Sequence, residues 1–330
     1  MTDKRYLPEG DLLRTAENTA YTASRDGLER AMREGRILEA VALRCDCSDM
    51  TLTVRVGGMN GYISREDAVF SPDGSEIKDI AVISRVGRAV SFTVKGFFTD
   101  SDGALAVRLS RADAQRRAFA DWVSRLVPGD VIPARVTHLE SFGAFVDVGC
   151  GLVALMTVDT MSVSRISHPR ERLLPGERIW AAVKESSDGG RRIYMTLREL
   201  LGTWEENAAL FAPAQTVTGT VRSVEDYGVF VELAPNLCGL AELRDGAVLG
   251  RECSVYIKNI IPERMKIKLI IIDSADEAVR APLRYFINGE TTPHIDRWRY
   301  SPDCCPRVIE TDFASAKRQP SGCLAASGGT

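Results

Sequence analysis

Two turns in the sequence each carry a pair of aromatic residues three positions apart. Phe142 and Phe145 form the first pair, Tyr227 and Phe230 form the second, and a glycine follows the first ring of each pair. That glycine lets the backbone bend so that both rings can face the same side of a strand. Two such rings can stack on successive bases of a single-stranded nucleic acid, which contributes about 1–3 kcal/mol per base. Aromatic rings also pack in hydrophobic cores, so the residues alone leave both interpretations open.

Basic residues near the second pair are candidate phosphate ligands. Lys258, Arg264, Lys266 and Lys268 have few acidic neighbours, which favours contacts with a nucleic-acid backbone. The arginines near the first pair are mixed with glutamates, a pattern typical of a solvated surface: Arg165, Arg170, Arg172, Arg178, Arg191, Arg192 and Arg198. The better phosphate surface is therefore expected beside the second aromatic pair.

Residues that could support catalysis or hold a metal are few. His138 alternates within a predicted strand and His168 precedes a proline, which favours structural roles for both, and no serine or cysteine lies in a nucleophile motif. A zinc hypothesis rests on five side chains whose spacing matches no zinc pattern: Cys45, Cys47, Cys304, Cys305 and His294. We predict no catalytic residue, no metal and no cofactor.

An internal repeat places the two aromatic pairs in equivalent positions. The segment that begins at Pro128 aligns without a gap on the segment that begins at Pro213, 85 residues later. Glycine, aromatic and apolar positions all match across this alignment. Because a repeat of this kind is one structural unit copied along the chain, the two segments are expected to share a fold.

Short apolar runs separated by turn residues fill each copy. In the second copy they predict strands over 131–138, 144–148, 151–156, 179–184 and 192–196, with mostly turn over 160–176. A weaker first copy over 35–110 shows the same pattern without the aromatic pair. Five short strands in about 70 residues are typical of a small barrel, so the fold class is all-β with three tandem five-stranded barrels.

Helical segments are expected between these barrels. Apolar residues recur with helical spacing over 111–127 and 199–212, and a further helix is predicted over 26–34. The predicted domains are an N-terminal segment 1–34, barrels over 35–110, 128–198 and 213–273, and an extension over 274–330. The rings of Trp298 and Tyr300 in this extension favour a cap on the third barrel over RNA contact. The end of the extension is expected to be disordered.

Composition limits the classes of protein to which the chain could belong. It has 330 residues, a formal net charge of −3 and 45% hydrophobic residues, enough for several folded domains. No signal sequence opens it and no apolar run could span a membrane, so we expect a soluble, cytoplasmic, monomeric protein without a membrane partner. Because the chain is mildly acidic, any nucleic-acid binding must use local basic patches.

The residues that follow the repeat match a known family. The stretch GDVIPARVTHLESFGAFVDVG, followed by SRISHP and RIYMTLREL, resembles the S-one (S1) RNA-binding domain of the bacterial ribosomal protein S1 family. The resemblance covers the second copy fully, the third well and the first in outline, and the whole chain resembles a short clostridial member. It implies OB-folds that bind RNA without catalysis.

The resemblance also implies which residues form the RNA surface, since the family uses two aromatics, a His, an Asp and a basic residue. In the second copy these positions hold Phe142, Phe145, Thr157 in place of the His, Asp188, and Arg192 with Arg191 beside it. In the third copy they hold Tyr227, Phe230, Glu242 in place of the His, Pro262 in place of the Asp, and Lys266. A carboxylate at Glu242 would repel phosphate.

The first copy has lost these residues. Asp49 and Leu52 fall at the aromatic positions, Ser64 at the His position and Ala106 at the basic position. By analogy with the family, the first barrel is expected to attach the protein to the small ribosomal subunit, while the other two hold mRNA during translation. Three alternatives stay open: a free RNA-binding regulator, a protein-interaction adaptor, and an accessory part of an RNA-processing enzyme.

Overall fold

Three closed barrels of five strands each follow one another along the chain. The computed structural model describes residues 6–72, 74–243, 248–274 and 282–316. The first barrel contains β1 Leu38–Asp46, β2 Thr51–Val56, β3 Met59–Ile63, β4 Ala89–Thr99 and β5 Leu105–Ser110. The second contains β6 Val131–Glu140, β7 Gly143–Gly149, β8 Leu152–Thr157, β9 Arg178–Ser187 and β10 Arg192–Thr196. The third contains β11 Thr216–Glu225, β12 Gly228–Ala234, β13 Leu237–Ala241, β14 Glu252–Ile261 and β15 Lys266–Ser274.

All three barrels have the same strand order. The first strand pairs with the second and the fourth, and the third strand pairs in parallel with the fifth. Side chains alternate between the inside and the outside of each barrel because successive residues of a strand point to opposite faces. In β10, Ile193 and Met195 are buried in the core and Arg192 is exposed. The predicted all-β fold of tandem OB-type barrels is confirmed.

The helix predicted over 26–34 is present, whereas the two linker helices are shorter than the sequence indicates. The helices are α1 Ala16–Thr22, α2 Arg25–Glu34, α3 Arg65–Ala68, α4 Asp79–Ile83, α5 Arg111–Asp121, α6 Trp204–Ala208 and α7 Phe313–Ala316. The first linker is α5 followed by one 3-10 turn, Val123–Arg125. The second linker is a 3-10 turn, Arg198–Leu201, and then α6. Gly202 lies between them with φ +86°, a conformation that ends a helix, so the continuous second helix predicted from apolar spacing was wrong.

A buried ion pair joins the first and second barrels. Both carboxylate oxygens of Glu9 accept hydrogen bonds from Arg111, at 2.6 and 2.9 Å. The backbone N–H of Glu9 donates to Asp147 on β7 at 2.7 Å. Burial, and next the Glu9 carboxylate, raise the pKa of Asp147 to about 7. The N-terminal segment is therefore part of the contact between the two barrels.

A second buried network joins the second and third barrels. It centres on Glu232, which occupies the position of Asp147 in the repeat. Arg222 donates two hydrogen bonds to the Glu232 carboxylate, at 2.9 and 3.0 Å. Arg172, from the loop between β8 and β9, donates to the same carboxylate, and both of these side chains are 2% exposed. The equivalent acid thus lies in both contacts: Asp147 accepts from the N-terminal segment, and Glu232 accepts from Arg172 of the preceding repeat.

The C-terminal extension packs across the second and third barrels. Its backbone bonds to the second barrel through Pro293 and Ile295, and the Tyr300 hydroxyl donates to the backbone of Asn236 in the third barrel at 2.6 Å. The Trp298 and Tyr300 rings are buried in the core cluster that these barrels share, as the cap interpretation expects. The short strands β16 Arg297–Arg299 and β17 Glu310–Asp312 complete this segment. Disorder was predicted over 315–330; it was wrong for the first two of these residues, which lie in α7 Phe313–Ala316, and the rest lie outside the described residues.

Candidate nucleic-acid interface

The aromatic pair of the second barrel lies on its outer surface. Phe145 points outward from β7, and Phe142 lies in the preceding turn with 53% of its surface exposed. Their ring centroids are 6.0 Å apart and the planes are nearly perpendicular, at 86°. A Cβ at Gly143 would lie 2.4 Å from the carbonyl oxygen of Met156, so this turn requires glycine. Neither ring belongs to the buried core, so ring surface on both remains available for stacking.

His138 extends this aromatic surface. It is exposed on β6, pairs in register with Phe145, and stacks on the Phe145 ring at 4.3 Å with an interplanar angle of 12°. The structural role assigned to His138 from sequence is therefore not supported. The sequence feature that could have indicated this contact is the outward position of His138 on β6, where it pairs with Phe145 on β7. In contrast, the His168 ring accepts from the backbone of Arg170 and caps a short helical turn, which is a structural role.

The same row of side chains continues across the barrel. Leu155 on β8 pairs with Phe145, and Tyr194 on β10 pairs with Leu155, so half-exposed apolar and aromatic groups lie side by side. Thr157, at the expected histidine position, pairs with Gly143. Its hydroxyl hydrogen-bonds the carboxylate of Asp159 and holds the pKa of that carboxyl below its usual range. This end of the surface therefore carries a negative charge.

The predicted basic residues lie at the opposite end of this row. Arg192 is two residues before Tyr194, about 7 Å further along the strand. Its guanidinium forms an exposed ion pair with Asp188 at 3.5 Å. Arg191, Arg192 and Asp188 line a cleft of about 820 Å³ whose other wall includes Phe70 and Lys78, from the segment between β3 and β4. The surface thus leads from the aromatic rings into the space between the two barrels.

The third barrel repeats the aromatic geometry. Tyr227 is 69% exposed, Phe230 points outward from β12, and their centroids are 6.2 Å apart at 89°. A Cβ at Gly228 would lie 2.4 Å from the carbonyl oxygen of Ala241, the same steric requirement as in the second barrel. Two barrels therefore present perpendicular ring pairs in equivalent positions, each with one exposed and one partly exposed ring.

Three exposed lysines lie beside the second pair. Lys268 pairs with Leu240, which pairs with Phe230, so its cation is level with the ring. Lys266 is two residues before Lys268 on the same strand. Lys258 lies in a bulge of β14, next to Asn259, which pairs with Lys268. Burial raises the pKa of the nearby Cys238 thiol to about 12, so no thiolate opposes these cations at neutral pH.

The first barrel lacks the aromatic pair, although not at the positions assigned from sequence. Thr53 pairs with Tyr62 in the first barrel in the same way that Phe145 pairs with Leu155 in the second. Thr53 is therefore equivalent to Phe145, and Met50 is equivalent to Phe142. Leu52 instead points into the core and is fully buried. The assignment of Asp49 and Leu52 was wrong by one residue because the turn between β1 and β2 is longer than its counterpart.

Comparison with known proteins agrees with this geometry. Residues 126–198, which include the second barrel, match the family profile described as the S1 RNA binding domain. The second barrel is therefore similar to an S1 RNA binding domain. The chain is 25% identical over 276 residues to the small ribosomal subunit protein bS1 of Pseudomonas aeruginosa, and the match covers 79% of this chain and 47% of that protein.

Two further relatives show the extent of the match. The bS1 protein of Staphylococcus epidermidis is 29% identical over 194 residues, covering 58% of this chain and 48% of that protein. A multidomain protein of known structure with nucleic acid binding domains, from Streptococcus pneumoniae, is 16% identical and covers 73% of this chain and 75% of its own, with a TM-score of 0.24. The chain spans about half the length of the bS1 relatives it matches.

The histidine, cysteine and acidic side chains are dispersed over the part of the chain that the structure describes. Across the described ranges, no three His, Cys, Asp or Glu side chains gather where they could hold a metal ion. His294 instead contacts Asp130 at 2.7 Å. Among the helices of the described residues, none is long and apolar enough to cross a membrane.

Glu242 provides a test of how charge affects the third barrel. Ala241 pairs with Val229, so the exposed Glu242 lies level with Gly228 and beside Tyr227. Removing its charge with Glu242→Gln is expected to raise affinity for single-stranded RNA by about two- to fivefold at low salt, equivalent to about 0.5–1 kcal/mol. Glu205→Gln, which removes an exposed charge from α6, is the matched control. Fluorescence anisotropy measures both, and equal effects from the two variants would contradict a local role.

Proposed function

We propose that this chain is a non-catalytic, cytoplasmic protein that binds single-stranded RNA through its second and third barrels and acts in translation at the small ribosomal subunit. The observation that carries the proposal is the two perpendicular ring pairs on the barrel surfaces, Phe142 with Phe145 and Tyr227 with Phe230, in which the first ring is exposed and the second partly exposed. Surface rings at this spacing can stack on unpaired bases, and such stacking tolerates any sequence because every base has an aromatic face. The names of the bS1 relatives support the ribosomal role.

The contacts between the barrels support binding by two sites together. The Glu232 network and the C-terminal extension hold the second and third barrels against each other. A strand of RNA bound by one barrel is therefore presented to the other at high effective concentration, which raises affinity without new contacts. Arg192, Lys258, Lys266 and Lys268 are exposed and would contact the phosphates, which adds affinity without sequence choice.

The first barrel has a different proposed role. It keeps the fold but has no ring pair at the family positions, so we propose that it attaches the protein to the small ribosomal subunit. A free RNA-binding regulator remains the second candidate, since the RNA surface does not depend on attachment. The adaptor alternative is less favoured because Phe142 and Tyr227 are exposed and their partners Phe145 and Phe230 are only partly buried, so none of the four rings belongs to a core.

Binding of labelled RNA by fluorescence anisotropy tests the proposal. A single strand of about 20 nucleotides is expected to bind clearly more tightly than a duplex of the same sequence, because the duplex hides its base faces. Affinity should fall with added salt, with a slope of about −0.7 per neutralised phosphate. Equal binding of both RNAs, or no binding at low salt, would contradict the proposal and favour the adaptor.

Cosedimentation with purified small ribosomal subunits then separates the two remaining candidates. The ribosomal role predicts that the protein sediments with the subunits, and the regulator predicts that it stays in the supernatant. A variant lacking all four rings distinguishes attachment through the first barrel from attachment through bound mRNA. It should still sediment if the first barrel is the attachment site.

A further inference from the structure

The outer surface of the first barrel carries a cluster of aromatic and basic side chains that lies away from the family positions. We call it the first-barrel patch and define it by five residues: Arg55, Asn60, Tyr62, Phe98 and Arg108. They come from β2, β3, β4 and β5, which are neighbours in the closed barrel. The first barrel therefore has a candidate binding surface of its own.

The strand register brings these side chains together. Tyr62 on β3 pairs with Arg108 on β5, and Asn60 pairs with Arg55 on β2. Ala106 pairs with both Asn60 and Phe98. Outward-facing residues of adjacent strands lie about 5 Å apart, so the patch is one continuous surface.

The two rings of the patch contact each other and a cation. The Tyr62 and Phe98 centroids are 5.8 Å apart with an interplanar angle of 53°. The Arg108 guanidinium lies 5.5 Å from the centroid of Phe98. Ala106, which points outward, is fully buried between the neighbouring side chains and forms the floor of the patch.

These rings do not fill the core of the barrel. The inward positions of the same strands are occupied by Ile63, Val107 and Leu109, which are fully buried. Tyr62 and Phe98 are both half-exposed. A half-exposed ring pair on a polar strand surface leaves apolar area in water that a ligand could cover.

Charge in the patch favours an anionic ligand. None of the carboxylates in the described ranges forms an ion pair with Arg55 or Arg108. Arg55 donates to the side-chain oxygen of Asn60 at 3.0 Å. The one nearby acid is Asp100, 3.5 Å from the Tyr62 hydroxyl, and its other oxygen already accepts backbone hydrogen bonds from its own loop.

The patch lies on the same face of its barrel as the ring pairs of the other two barrels. Its first aromatic ring comes from the third strand of the barrel instead of the second. Thr53 holds the place of Phe145, and the aromatic group is found instead on its neighbour Tyr62. Arg108 holds the place of Lys268, the lysine level with Phe230 in the third barrel. A ring and a cation are thus present in the first barrel, on β3 and β5.

We propose that the first-barrel patch binds single-stranded RNA, with a base stacked on the Tyr62 and Phe98 rings and phosphates held by Arg55 and Arg108. Aromatic rings and guanidinium planes both stack on unpaired bases, and arginine also pairs with phosphate. Attachment of this barrel to a ribosomal subunit through any other face is compatible with this binding.

Photo-crosslinking of the full chain locates the bound RNA without mutation. The probe is a single-stranded RNA of about 30 nucleotides containing 4-thiouridine, long enough for three OB barrels at about 10 nucleotides each. Peptides that contain Tyr62 or Phe98 are expected to carry crosslinked RNA, together with peptides of the second and third barrels. Crosslinks confined to the second and third barrels would overturn this proposal while leaving the proposed function intact.

Variants of the patch provide the second measurement. Tyr62→Ala combined with Arg108→Ala is expected to weaken binding of the 30-nucleotide RNA by at least about fivefold, while Tyr62→Phe should bind as wild type does. Arg88→Ala is the matched control, because Arg88 is an exposed arginine just before the other end of the strand that carries Phe98. Near-UV circular dichroism verifies that each variant is folded.

The outcomes separate this proposal from the function proposed above. Crosslinks at the patch alone would support it and contradict RNA binding by the other two barrels. If Tyr62→Ala combined with Arg108→Ala binds the RNA as tightly as Arg88→Ala does, and no crosslink maps to the patch, RNA binding there is refuted. If the same variants instead abolish sedimentation with small subunits without altering RNA affinity, the patch is a protein-docking surface and the proposal fails.

Discussion

Replacing Phe142, Phe145, Tyr227 and Phe230 together with alanine is expected to weaken binding of a 20-nucleotide single-stranded RNA by at least about a hundredfold. Each stacked base contributes about 1–3 kcal/mol, and the two barrels would lose stacking at the same time. Fluorescence anisotropy at a fixed, low salt concentration measures the change. The salt slope should persist, since the lysines and arginines remain.

The same variant should remain folded. The four rings lie outside the core clusters, so their removal takes little apolar surface from the interior. Leu174→Ala with Leu210→Ala, which shortens two exposed apolar side chains away from the rings, is the matched control and should bind normally. A quadruple variant that stays folded and binds RNA as tightly as the wild type would rule out stacking by these rings.

The second large effect concerns stability. Glu232→Ala is expected to lower the free energy of unfolding by about 3–5 kcal/mol, because it leaves the buried guanidinium of Arg172 without its carboxylate. Arg222 loses two hydrogen bonds at the same time, although it keeps its contact with Glu171. Urea unfolding followed by tryptophan fluorescence measures the loss.

Two further variants make the stability test specific. Glu225→Ala removes an exposed acid from the same hairpin and should change stability by less than about 0.5 kcal/mol. Combining Glu232→Leu with Arg172→Met replaces the buried pair by apolar groups and should recover most of the loss. If Glu232→Ala is as harmless as Glu225→Ala, the network does not hold the two barrels together.

The barrels and the ring pairs could be predicted because they depend on the pattern of residue types within each strand and on the internal repeat. Alternation fixes which residues of a strand point outward, and the repeat places Tyr227 and Phe230 on Phe142 and Phe145. The position of His138 beside Phe145 depends on pairing between two strands, which the sequence shows only when the register is known. The first-barrel patch was missed for the same reason, since its rings lie on β3 and β4, which do not pair with each other and are brought together only by pairing with β5.

Errors in the sequence prediction have local physical causes. The longer turn before β2 moved the first-barrel aromatic positions by one residue, and Gly202 interrupted the second linker helix. The buried role of Glu232 could not be inferred, because its partner Arg172 lies 60 residues away in a segment that reads only as turn. Contacts between barrels leave no periodic signal in the sequence.

The C-terminal extension has a consequence for which RNAs the protein distinguishes. Because residues such as Ile295, Trp298 and Tyr300 are buried between the second and third barrels, the distance between the two ring pairs is held constant. If both barrels bind RNA as proposed, an RNA too short to cover that distance occupies one barrel at a time, whereas a longer one occupies both. Strand length, more than base sequence, would then decide how tightly an RNA binds.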